Sequence, residues 1–212
     1  MTFRARIMAC FPAFHFTCIL VALSFFVVAP SGVHFLLIPA AVYALPLLIY
    51  RFHNLLIPLR EGISDLALPE YSSWWGGHKC QILFIMFPSL EMIFTLVPGA
   101  FSLWLRLWGS HIGKNVYWTP RMELLDRGLL EIHDHVVVGF YVIFASHMIR
   151  PGPQGEVSLF VKRIIIGGQS LVGAGTRIGP GVEVPPKTVV PVQSVLAPRK
   201  VFGASKVVEN EL

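Results

Sequence analysis

Every sixth residue from Phe160 to Leu196 is large and apolar: Phe160, Ile166, Val172, Ile178, Val184, Val190 and Leu196. The residue that follows each of the last six is Gly167, Gly173, Gly179, Pro185, Pro191 or Ala197, so a second column of small residues and prolines keeps the same phase. A helix needs a period of about 3.6 and does not tolerate that load of glycine and proline. A fixed six-residue period is the signature of a parallel β-helix. In such a fold each unit is a short strand and a turn, the apolar residue points into a narrow core, and the small residue sits at a tight corner.

Upstream the same phase starts at Ile112-Gly113 and passes Trp118 and Leu124. It slips by two within Asp126–Glu131, resumes at Ile132, Val138-Gly139 and Phe144-Ala145, and then stops. Met148–Leu159, with Pro151-Gly152-Pro153 and Gln154-Gly155, reads as an excursion rather than a strand. An insertion that lets a solenoid resume in register is where function tends to sit, although a tolerated surface loop would look the same.

The first half is of another kind. No Asp, Glu, Lys or Arg stands between Arg6 and Arg51, a gap of 44 residues. That is long enough for two spans of about 20 residues, expected at Ile7–Ala29 and Val33–Tyr50 with a turn at Pro30-Ser31-Gly32. A cleaved signal peptide is the competing reading for the first, and the length of the apolar run argues against it. Arg4, Arg6 and Arg51 put that side in the cytoplasm. Gln81–Leu105 contains a single charge, Glu91, and two prolines, Pro88 and Pro98. It is expected to be a third membrane or interfacial helix, with Trp104 and Trp108 at headgroup level. Residues 1–106 thus form a membrane region in the lipid bilayer, and residues 107–212 a water-soluble β-helix.

A net charge of +5 invites a nucleic-acid partner, but the basic residues form no run and no nucleic acid is expected. Cys10, Cys18 and Cys80 give neither a disulfide framework nor a zinc spacing. His133 and His135 flank Asp134 and, as alternate residues of a strand, would share a face. Two ligands are too few, and no metal is expected.

The run "IIIGGQSLVGAGTRIGPGVEVPPKTVVPVQSV" (Ile164–Val195) resembles the C-terminal coils of the hexapeptide-repeat acyltransferases, over His111–Phe202. The block "YWTPRMELLDRGLLEIHDHVVVGFYVIFASHMI" more narrowly resembles the membrane-embedded acyltransferase-like modules of poly-lysine-type peptide synthetases. The first resemblance implies a left-handed parallel β-helix, a homotrimer with active sites between neighbouring prisms, and acyl transfer, acetyl above all. The donor would be acyl-CoA or a phosphopantetheine thioester on an acyl or peptidyl carrier protein, and the acceptor an amine or hydroxyl. The family's base falls where the coils break, which here is His147. Neutral imidazole can take the acceptor's proton at working pH. Asp134 and Glu131 are the candidates to fix its tautomer, and a corner glycine N–H is the expected oxyanion donor. Ala174, Ser194, Arg199 and Lys200 match the family's cofactor positions, although the basic residue is displaced from the usual pattern. A donor of this kind implies a cytoplasmic catalytic domain. The narrower resemblance leaves a peptide-bond-forming role open, and a non-catalytic scaffold would share the repeat without needing the break.

Overall fold

The computed structural model describes residues 2–65, 71–151, 156–199 and 201–202. The chain forms two compact units, Met1–Arg60 with Leu68–Leu83, and Glu61–Ala67 with Phe84–Leu212.

In the first unit, α1 (Phe3–Val28) is capped by Thr2, whose hydroxyl accepts from the Ala5 amide at 3.2 Å. The chain turns at the expected Pro30-Ser31-Gly32, and Ser31 caps α2 (Gly32–Pro39). Behind Pro39 the helix widens to a π-helical turn, Ala40–Ala44, and continues as α3 (Leu45–Leu56). The π turn leaves the Ala41 carbonyl within reach of His15, whose Nε2 donates to it at 2.9 Å. In hydrocarbon such a bond matters, because no water is there to satisfy either group. Phe3–Val28 and Gly32–Leu56, 26 and 25 residues long, are each apolar enough to cross a membrane. Tyr71 follows the two apolar helices, and Trp74 of α4 (Ser73–Met86) stacks on His78.

The second unit is a parallel β-solenoid with three faces. Its first coil is β2 (His111–Ile112), β3 (Tyr117–Trp118) and β4 (Glu123–Leu124). With the strand Gly62–Asp65 counted as β1, the second coil is β5 (Leu130–Ile132), β6 (Val137–Val138) and β7 (Ile143–Phe144). After a hairpin come β10 (Ile164–Ile166), β11 (Leu171–Val172) and β12 (Arg177–Ile178). The fourth coil is β13 (Glu183–Val184), β14 (Val189–Val190) and β15 (Val195–Leu196). Every third strand pairs in parallel, in the orders β13-β10-β5-β2, β14-β11-β6-β3 and β15-β12-β7-β4. The register aligns Ile112, Ile132, Ile166 and Val184, and likewise Leu124, Phe144, Ile178 and Leu196, all buried. The inward column is therefore the one legible in the sequence, from Ile112 onward.

Two expectations are corrected here. Phe160 does not belong to that column. It lies in β9 (Val157–Val161), which pairs antiparallel with β8 (His147–Pro151) and with β1. The excursion is thus a β-hairpin completed by a third strand from upstream, and its tip, 152–155, lies outside the described residues. The small residues after the column are not needed for backbone conformation. A Cβ on Gly139 would stand 2.7 Å from the Ala174 nitrogen, and one on Gly173 2.5 Å from the Val192 nitrogen, so close stacking of the next coil excludes a side chain.

The expected membrane or interfacial segment up to Leu105 also takes part in this unit. From Phe84 onward it belongs with the solenoid, as a helical cap: α5 (Ser89–Met92), a 3-10 turn Ile93–Leu96 and α6 (Ala100–Trp108). Terminal coils of a solenoid need such covering. The helix breaks at Phe87–Pro88, between α4 and the Ser89–Leu96 segment. Trp104 and Trp108 are 4% and 0% exposed, so they form the cap's core instead of a headgroup belt. Phe84 meets both edge-on, and Phe101 meets Trp118 of the first coil. The second compact unit thus takes up again at Phe84.

Candidate active site

Three residues past each inward residue the coils turn through left-handed backbone: Asn115, Arg121, His135, Tyr141, Gln169, Lys187, Gln193 and Arg199 have φ between 53° and 62°, with Gly175 and Gly181 at 73° and 71°. A non-glycine residue there costs about 1 kcal/mol. Corner amides return something for it by reaching a carbonyl of the coil before: Gln169 to Asp134, Lys187 to Gly168, Gln193 to Ala174, Arg199 to Pro180.

On the third edge this pattern fails twice, after Leu124 and after Phe144. Those two residues are paired in register, so the failures are stacked. In the first the phase slip inserts Asp126 and Arg127. In the second the chain leaves the coil after Ser146 and returns at Lys162, whose amide donates to the Ser146 carbonyl at 2.9 Å. Lys162 then supplies the carbonyl that Gly181 meets at 3.3 Å, and the edge resumes.

The stacking brings Asp126 to His147. Asp126 Oδ2 and His147 Nδ1 are 2.7 Å apart, with the carboxylate side chain 2% and the imidazole 15% exposed. Nδ1–H donates to the carboxylate, which leaves Nε2 as the ring's lone-pair nitrogen. The carboxylate beside His147 is therefore Asp126, not Asp134 or Glu131. Glu131 meets His133 at 3.2 Å, and Asp134 accepts from the Lys114 amide at 2.7 Å. His133 and His135 do not share a strand face either, since His135 is a left-handed corner residue. The expected oxyanion donors are also engaged: Gly167, Gly173, Gly179 and Gly181 all donate to carbonyls of neighbouring segments.

The other expected residues divide between two edges. Ala174 and Ser194 lie on the second edge, where Gln193 donates to the Ala174 carbonyl and Ser194 Oγ to the Pro191 carbonyl at 2.8 Å. Arg199 lies on the third edge, with its guanidinium carbon 4.7 Å from the Phe160 ring centroid. Lys200 lies outside the described residues. Asp126 carried a signal in the sequence: it stands at the phase slip, two residues past Leu124, one coil before the break.

Comparison of the sequence with protein-family models and with curated proteins gave no match. Among solved structures, the chain is similar to a hexapeptide-repeat acetyltransferase from Vibrio cholerae, at 17% identity and a TM-score of 0.42, over 56% of this chain and 81% of that one. It is similar to a maltose O-acetyltransferase from Clostridium difficile at 14% identity and 0.41, over 55% and 77%. The Vibrio cholerae protein complexed with acetyl-CoA gives 18% identity and 0.39, over 57% and 81%.

Proposed function

We propose that the protein is a membrane-anchored acyltransferase built on a left-handed β-helix, with His147 as general base and Asp126 as its orienting carboxylate. The observation that carries this reading is the contact of half-buried His147 with buried Asp126 at the edge where two coils break. A scaffold needs neither the break nor the pair.

In the proposed reaction Nε2 takes the proton of an amine or hydroxyl acceptor as that atom attacks a thioester carbonyl. The new C–N or C–O bond forms, the C–S bond breaks, and the departing thiolate recovers the proton from the imidazolium. Asp126 holds the tautomer and offsets the imidazolium charge. Acetyl-CoA is the donor favoured, with a carrier-bound thioester supplying the same chemistry, and the catalytic unit is placed in the cytoplasm. A homotrimer is favoured by one face of the solenoid, whose outward column is Tyr117, Val137, Leu171 and Val189, all exposed and all apolar or aromatic.

The test is thiol release from acetyl-CoA by the full-length protein in detergent, with a panel of amines, alcohols and sugars as acceptors. His147→Ala and Asp126→Asn should each lower kcat by about 10²- to 10⁴-fold. Wild-type turnover in His147→Ala would sink the mechanism.

A further inference from the structure

We propose that Glu91 of the cap and Arg127 of the slip form a positioning pair that sets Asp126 against His147. This rests on the reading of His147 as the base. Glu91 is the single charged residue between Lys79 and Arg106, and in the fold it is neither lipid-facing nor at the surface. Arg127 Nε and Nη2 each donate to one of its carboxylate oxygens at 2.6 Å, Trp104 Nε1 donates to Oε2 at 3.1 Å, and both charged side chains are at most 1% exposed. The guanidinium carbon also lies 5.4 Å from the Phe84 ring centroid.

Arg127 is covalently next to Asp126, and its backbone is held as well. Its carbonyl accepts from Ser110 Oγ at 2.6 Å, and the same Oγ accepts from the Leu130 amide at 2.9 Å. This corner does not make the left-handed turn that the regular corners share. Burying two charges costs free energy that their attraction only just offsets, and an apolar pair of similar volume usually holds a core as firmly. What a fork-shaped guanidinium on a carboxylate adds is direction. Two parallel bonds fix where Arg127 stands, and with it the neighbouring carboxylate. The cap helices thereby become part of the catalytic corner.

The experiment compares full-length wild type, Glu91→Met/Arg127→Met, Arg127→Lys, Asp126→Asn and His147→Ala in detergent. The readouts are the melting temperature, kcat and KM for acetyl-CoA, and the pH profile of His147 modification by diethyl pyrocarbonate, followed on its peptide by mass spectrometry. The last needs no turnover, so it judges the pair even if His147→Ala proves active and the base assignment fails. The double variant should melt within about 3 °C of wild type, lose about tenfold in kcat, and keep KM within about twofold. Its modification profile should move in the same direction as that of Asp126→Asn. Arg127→Lys, which keeps the charge and loses the fork, should move it the same way by less. A double variant that folds with wild-type kcat and profile overturns the proposal, as does one that cannot fold, because the pair is then structural.

Discussion

Burial pushes the Tyr71 phenol up to about 12, with Cys80 adding to the rise and Arg4 opposing it. The geometry explains why ionisation is resisted. His53 Nδ1–H donates to Asn54 Oδ1 at 3.3 Å, so its Nε2 accepts from the Tyr71 hydroxyl at 2.7 Å, and a phenolate would present an oxygen anion to a lone pair. Unfolded, the phenol titrates near 10. The folded pKa is raised, so the stabilisation is complete below pH 10 and is lost as pH rises from there toward 12. Denaturation midpoints of the full chain should therefore fall across that window in wild type and fall less in Tyr71→Phe. Equal slopes would contradict this account. Legibility at the same scale was uneven. The family resemblance points to His147 at the break, but the carboxylate beside it does not follow from nearness on the preceding coil. Asp134 sits on the first edge and Glu131 in the β5 strand of the first face, whereas the slip carries Asp126 to the third edge. Arg127 was invisible for another reason, since a pair separated by 36 positions leaves no local pattern.

For the elements, the period decided what could be read. The inward column recurs wherever a coil exists, so the solenoid was legible almost to the residue, and the turn between the two apolar helices was legible from Pro30-Ser31-Gly32. The hairpin was hidden because its strands have no period to share with the coils, and because β1 reaches β9 from about a hundred residues upstream. An apolar stretch with one acid reads alike whether it faces lipid or packs on a β-helix, and the buried partner of Glu91 lies 36 positions away. If the hairpin is an insertion into an otherwise closed coil, excising residues 147–162 restores the six-residue step from Phe144 to Ile166. The shortened chain should keep its strand circular-dichroism signal and a cooperative thermal transition while losing thiol release from acetyl-CoA. Loss of the cooperative transition would mean that the hairpin is part of the core, and full retention of turnover would remove it from the site.

Across the whole molecule the three faces of the solenoid differ in what they offer to a partner. The outward column on the first is His111, Glu131, Ile165 and Glu183, and on the third Glu123, Ile143, Arg177 and Val195, so each carries charge. The second has none: Tyr117, Val137, Leu171 and Val189 are 63%, 38%, 41% and 68% exposed. A contiguous apolar strip on a regular sheet is a liability in water unless it is covered. A prism whose neighbours are identical can cover it in a closed ring. An aspartate at Leu171, in the middle of the strip, would then be buried without a partner on every copy at once, a cost of several kcal/mol per interface. Leu171→Asp should therefore reduce the protein mass in detergent, by light scattering, about threefold relative to wild type. Its melting temperature should fall with dilution no further than expected for a monomer, because the side chain points away from the core. Persistence of the wild-type mass would show that another face mediates assembly. A wild type that is itself monomeric would move the entire active site onto the His147 edge of a single chain.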